Sequence, residues 1–105
     1  MKRLSGIGSP SLRIRWTRRA ALDLDGIEAY IEADDPQAAV RTVLRVMDAA
    51  EQLADHSYLG RAGRVSGTRE LVVPSTPYIV AYRLNAEGLD ILRVLHGAMR
   101  WPDSF

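Results

Sequence analysis

The sequence predicts an α+β domain in which a short strand and an antiparallel helix hairpin precede a three-stranded antiparallel meander. Three observations predict it. Leu12, Ile14 and Trp16 alternate with Arg13 and Arg15, the period-two pattern of a half-buried strand. Between residues 17 and 55 apolar residues recur at helical spacing, interrupted once by Asp35-Pro36. After residue 67 the chain turns to β-branched and aromatic runs separated by Pro, Ser, Asn and Gly, as strands and turns require.

Residues 1–11 hold Ser5, Gly6, Gly8, Ser9 and Pro10 without periodicity, so a mobile arm is expected ahead of a single domain over residues 12–105. Thr17 is placed to cap the first helix. Ala20, Leu24, Ile27 and Ile31, with Tyr30 beside them, form its apolar stripe, which runs to about Asp34. Asp35 followed by Pro36 combines a capping carboxylate with proline at the first helical position and opens a second helix. Val40, Val43, Leu44, Met47 and Ala50 continue an apolar stripe to about Asp55. A loop containing Gly60, Gly63 and Gly67 leads to the strands.

Turn geometry sets the expected register. A four-residue hairpin loop at Asn85-Ala86-Glu87-Gly88 places Leu84 opposite Leu89, Arg83 opposite Asp90, Ala81 opposite Leu92 and Ile79 opposite Val94. One face then carries Ile79, Ala81, Arg83, Asp90, Leu92, Val94 and His96. The other carries Tyr78, Val80, Tyr82, Leu84, Ile91, Arg93 and Leu95. A tight return through Pro74-Ser75-Thr76 adds Arg69, Leu71 and Val73 to the first set. The helix hairpin can cover one face and leave the other open to a partner. Alternation alone does not choose which.

With 105 residues and 47% hydrophobic content, the chain fits one compact domain that buries roughly two thirds of the surface exposed when unfolded. The absence of cysteine excludes disulfides and thiolate chemistry, and His56 and His96 stand too far apart to suggest a metal site. Gly60-Arg61-Ala62-Gly63 lacks the spacing and the lysine of a phosphate loop, and no serine sits in a nucleophile elbow. No apolar run reaches membrane-spanning length and no hydrophobic leader region opens the chain, so a cytoplasmic protein without membrane contact is expected.

The net charge of +1 is strongly segregated: +6 over residues 1–22, −7 over residues 23–55 and +2 over residues 56–105. Either the segments neutralise one another on folding or an anionic partner is involved. Arg18 and Arg19 fall in the first turn of helix one, where each opposes the helix dipole by about 0.3–1 kcal/mol. Arg19 can pair with Asp23 four residues on, or meet an anionic partner. Arg93, between Ile91 and Leu95, requires a carboxylate such as Asp23 or Glu28, and Arg83 with Asp90 forms a cross-strand pair. Among acid–base candidates, a hydrogen-bonded structural role suits His96, and core packing suits Tyr78 and Tyr82.

Residues 12–102 resemble the RelE/ParE superfamily of type II toxin–antitoxin toxins, and more closely its ParE-like branch. The resemblance rests on Ala21-Leu22-Asp23-Leu24-Asp25-Gly26-Ile27, on Gly67-Thr68-Arg69-Glu70-Leu71, on Tyr78-Ile79-Val80-Ala81-Tyr82-Arg83 and above all on Ile91-Leu92-Arg93-Val94-Leu95-His96-Gly97. It implies that Ile79, Ala81 and Arg83 form the open face and that Tyr78, Val80 and Tyr82 turn to the helices. RelE-like members are ribosome-dependent mRNA endonucleases, and many carry arginine directly after the first tyrosine of the Tyr78 strand. Here that residue is Ile79, although Arg69 matches a basic position of the nuclease face and Arg100 lies near another. ParE-like members share the Arg-Val-Leu-His ending and the aliphatic face, and some inhibit DNA gyrase without catalysis.

The resemblance therefore implies a growth-arresting toxin of the plasmid-stabilization kind that binds a cellular protein, DNA gyrase. A ParD-like or RelB-like antitoxin that folds on binding would neutralise it in a hetero-oligomer. The implied antitoxin- or target-binding residues are Arg69, Leu71, Ile79, Ala81, Arg83, His96, Arg100 and Trp101, with Arg93 and Asp23 as a structural ion pair. No catalytic residue, metal or cofactor is implied. The alternative is a RelE-like nuclease with Arg69, Arg83, Arg100 and His96 on mRNA phosphates. A third reading is an inactive relative kept as an antitoxin-binding or repressor-complex module.

Overall fold

The computed structural model describes residues 11–105, and residues 1–10 of the expected arm lie outside them. The elements are β1 (Ile14–Trp16), α1 (Arg18–Glu32), α2 (Pro36–Gln52), β2 (Arg61–Ala62), β3 (Arg69–Val72), β4 (Tyr78–Asn85) and β5 (Gly88–His96). The strands form one mixed sheet in the order β1-β5-β4-β3-β2, with β1 parallel to β5 and every other neighbour antiparallel. The expected meander is thus the centre of a five-stranded sheet. β2, two residues long, gave no periodic signal in the sequence. Among the described residues no helix is long and apolar enough to cross a membrane.

Both helices start as their caps dictate. The Thr17 hydroxyl accepts from the Ala20 N–H at 3.2 Å, and the Asp35 carboxylate accepts from the Ala38 N–H at 3.1 Å with Pro36 in the first turn. Leu24, Ile27 and Ile31 of α1 pack on the core while Tyr30 is exposed. In α2 the expected stripe is rotated. Ala39, Val46, Ala49 and Ala50 are buried, whereas Val40, Leu44 and Met47 are 52%, 60% and 46% exposed. Small residues let α2 sit close to its neighbours, so the larger apolar side chains are left on the outer face. At the helix end, the Ser11 hydroxyl donates to Asp55 at 2.6 Å and the Leu12 N–H to the Ala54 carbonyl at 2.9 Å. The last residue of the expected arm is therefore tied down.

The β4–β5 hairpin follows expectation only near its tip, where Arg83 faces Asp90 and Leu84 faces Leu89 around a two-residue Ala86-Glu87 loop. Past Tyr82 opposite Ile91 a β-bulge intervenes, and Ala81 then faces Arg93. Leu92 is the extra residue, so Val94 and His96 move to the helix side and Arg93 and Leu95 to the other. Groups from β1 and α1 meet the backbone of β5 around this break. The Thr17 hydroxyl donates to the Ile91 carbonyl at 2.8 Å, and Asp23 accepts from the Val94 N–H at 3.0 Å. A second correction concerns β3. The Val73 N–H donates to the Tyr78 carbonyl at 3.0 Å, and the register runs Leu71 opposite Val80 and Arg69 opposite Tyr82. Arg69, Leu71 and Val73 therefore lie on the helix side, not beside Ile79 and Ala81. The return is wider than expected because the Thr76 hydroxyl links the Val73 carbonyl to the Tyr78 N–H.

The core is formed by Val46, Ala50 and Leu53 against Leu71, Val73, Val80, Tyr82, Leu89, Ile91 and Val94. Tyr82 is fully buried; its hydroxyl donates to the Ser57 carbonyl at 2.8 Å and accepts from the Gly60 N–H at 3.0 Å. The face away from the helices, expected to be open, is largely covered. Ile79 and Ala81 are 5% and 0% exposed. Gly97 abuts Ile79, and Phe105 lies with Arg83 and Leu92, so the residues after β5 return across this face.

Candidate protein-binding surface

The covering segment is held by a chain of polar contacts that begins at Glu70. This carboxylate is 2% exposed and points to the outer face with Ala81. It accepts from the Arg64 N–H at 2.6 Å and forms ion pairs with Arg61 at 3.4 Å and Arg64 at 3.5 Å. The Arg64 guanidinium in turn lies 3.7 Å over the Trp101 ring, within cation–π range. The Trp101 Nε1–H donates to the His96 carbonyl at 3.1 Å. A buried acid thus positions an arginine, and that arginine pins the C-terminal segment to the sheet.

Two further ion pairs organise the β1 side. Arg93 donates to Asp23 through Nε at 2.7 Å and Nη2 at 3.0 Å, with both side chains about five-sixths buried. That hydrogen bond raises the guanidinium pKa above its ordinary value. Arg15 binds Asp90 in the same bidentate way, at 3.0 Å through each nitrogen. The expected Arg83–Asp90 bridge is not formed because β1 brings Arg15 alongside Asp90 in the parallel ladder. Arg19 likewise does not pair with Asp23, which Arg93 occupies.

The hydrogen bond from Arg15 holds the Asp90 carboxyl below its usual range. A depressed folded-state pKa contributes stability above the unfolded value of about 3.9, and that stability is lost as pH falls through the lower folded value. Asp90→Asn should accordingly flatten the acid limb of the urea-midpoint curve below about pH 4 and leave its shape at pH 7 unaltered. An unchanged acid limb would count against the pair.

The eight residues expected to bind a partner do not form one surface. Arg83 and Arg100 are exposed, Trp101 is partly exposed, and Ile79 and Ala81 lie buried on the covered face. Leu71 is a core residue. Arg69, on the helix side, donates to the Gly60 and Tyr58 carbonyls and lies 4.9 Å from the Tyr58 ring, fastening the loop before β2. His96 packs edge-on against Tyr78 at 5.7 Å, and its Nδ1 accepts from the Ala98 N–H at 3.1 Å. Burial raises the pKa of the Tyr78 phenol. Sequence reasoning named Val40, Leu44 and Met47 as an apolar stripe, but their i, i+4, i+7 spacing did not reveal that they face outward.

Residues 14–101 match the family described as the ParE toxin of the type II toxin–antitoxin system parDE. The chain is 50% identical over 90 residues to toxin Y4kP of Sinorhizobium fredii, covering 86% of this chain and 93% of that protein. It is 39% identical over 87 residues to toxin RelE2 of Caulobacter vibrioides, covering 82% and 96%. A solved structure titled as a chromosomal ParDE system from P. aeruginosa superposes with a TM-score of 0.76 at 27% identity, over 84% of this chain and 98% of that one. With the family match spanning β1 to Trp101 and the fold shared, the chain belongs to the ParE toxins of type II toxin–antitoxin systems, within the RelE/ParE superfamily.

Proposed function

We propose that this toxin arrests growth in the cytoplasm by binding a protein target, DNA gyrase, without catalysing a reaction. The observation that carries this reading is the state of position 79. An mRNA nuclease of the superfamily would need cationic groups here to stabilise the charge of the cleavage transition state. Instead Ile79 is buried against Gly97, and His96 is engaged by the Ala98 N–H and the Tyr78 ring. Ile79 offers no charge, and the Nδ1 of His96 is already occupied. The exposed Val40, Leu44 and Met47 stripe supports a second element of the reading. An amphipathic helix of the antitoxin fits such a row of apolar anchors.

The relatives named RelE2 and RelE3 keep the nuclease reading in view, with Arg83 and Arg100 as its remaining exposed cations. One induction experiment separates the two. Cells expressing the chain without antitoxin should accumulate gyrase-linked DNA breaks, and purified gyrase should give more cleaved complex when the protein is added. Transcript cleavage in a purified translation reaction, dependent on ribosomes, would overturn the gyrase reading. Growth arrest with neither effect would also overturn it and point to another target.

A further inference from the structure

The outer face of α2 carries a charge order that docking of an antitoxin helix does not explain. Val40, Leu44 and Met47 form its exposed apolar row. Alongside the row, Arg41 and Asp48 are both exposed and stand two turns apart on one flank, and Asp48 looks toward the groove beside β3. Among the described residues neither has an oppositely charged side chain within ion-pair distance, and nor does Arg45, three residues before Asp48. The outer face is thus basic in its first half, with Arg41 and Arg45, and acidic in its second, with Asp48 and Glu51. An arginine that precedes its acid is the poorer order for pairing within one helix, so helix stability does not account for the arrangement.

Such a face is complementary to itself when turned end for end. A twofold axis perpendicular to α2 near Leu44 lays a second α2 antiparallel on the first. Leu44 then meets Leu44 of the second copy, and Val40 meets its Met47. The same rotation keeps both charged flanks on one side of the pair, so Arg41 meets Asp48 of the second copy and Asp48 meets its Arg41. A parallel pair would instead set like charges against each other. We propose that the chain, free of antitoxin, self-associates through α2 as an antiparallel dimer, with Leu44 at the axis and two Arg41–Asp48 pairs across the interface. Two single-helix faces bury less than the roughly 1,200 Å² of a standard interface, so the expected Kd is on the order of micromolar. An antitoxin helix on the same row would exclude the second copy; that consequence rests on the antitoxin reading above, and the dimer does not.

The test is sedimentation equilibrium of the purified full chain at low salt, from about 1 to about 200 μM, a range that brackets a micromolar Kd. The mean mass should rise from one chain toward two. Arg41→Asp and Asp48→Arg each set like charges against each other at both ends of the interface, and each should dimerise at least tenfold more weakly. Mixed in equal amounts, the two variants should regain the parent's affinity, because the mixed pair restores opposite charges at both ends. Arg41→Asp/Asp48→Arg should regain it alone. Glu87→Arg, which makes the same charge change as Asp48→Arg at the β4–β5 tip, should alter affinity less than twofold. All these variants should keep the parent's thermal midpoint within a few degrees, because the replaced side chains are exposed.

A parent chain that stays monomeric throughout would overturn the proposal and leave the apolar row to the antitoxin alone. Dimers untouched by either single charge reversal would place self-association on another surface. An equal loss in Glu87→Arg would reduce the effect to general charge. Single variants that weaken but do not recover on mixing would overturn the antiparallel register. None of these results alters what the gyrase experiment reads, so the two proposals fail separately.

Discussion

An Asp23→Ala variant is expected to lose about 3 kcal/mol of folding stability, whereas Arg93→Met should lose less than about 1 kcal/mol. The asymmetry follows from what each side chain leaves behind. Asp23 accepts two bonds from the Arg93 guanidinium and a third from the Val94 N–H. Its removal strands a mostly buried cation and a strand amide at once. Removing Arg93 strands less, because Asp23 keeps the Val94 bond. Methionine also retains the apolar stem that lies along the sheet. Urea unfolding of both variants measures the difference. Equal losses would mean that the Val94 bond carries no weight, and a loss below 1 kcal/mol for Asp23→Ala would remove the pair from the account of stability.

Gly88→Ala should be the other severe substitution, costing about 2–4 kcal/mol and lowering Tm by roughly 10–20 °C. Gly88 has a φ of 148°, a backbone state that side chains rarely adopt. A Cβ there would also overlap the carbonyl oxygen of Arg13. That same oxygen accepts from the Leu89 N–H at 2.9 Å, the bond that starts the parallel β1–β5 ladder. Strain and steric overlap thus fall at one point, where the edge strand joins the sheet. Gly26→Ala is the natural control. Gly26 is helical with open space around it, so alanine should stabilise by about 0.5–1 kcal/mol. A Gly88 variant that melts within a few degrees of the parent would show that the edge strand can shift at little cost.

Local signals in the sequence located the elements, and long-range ones decided how they face. Thr17 and Asp35-Pro36 mark their helix starts because capping is a contact between residues three apart. The hairpin tip is legible for the same reason. The bulge at Leu92 is not, because it depends on Asp23 and Thr17 arriving from the other end of the chain. One inserted residue then moved Val94 and His96 across the sheet. The orientation of α2 was illegible for a different reason. Ala39, Ala49 and Ala50 contribute little to an apolar pattern, yet their smallness gives them the inner face. Arg69 was misplaced by a single residue of turn length. Covering of the outer face depended on a cation–π stack between Arg64 and Trp101, which no spacing rule reveals.

The parallel pairing of β1 with β5 joins residues from opposite ends of the domain, Ile14 with Leu89 and Trp16 with Ile91. During synthesis the first strand and the Asp23 carboxylate emerge long before the backbone they must bind. Contacts of such high sequence separation form late, and here they cannot form at all until Val94 has left the ribosome. A partly made chain therefore carries α1 and α2 without the sheet that orders them. Protease protection of stalled nascent chains should rise only once β5 is exposed. For a toxin that acts through its folded form, that delay means activity begins with a completed chain and not with a fragment.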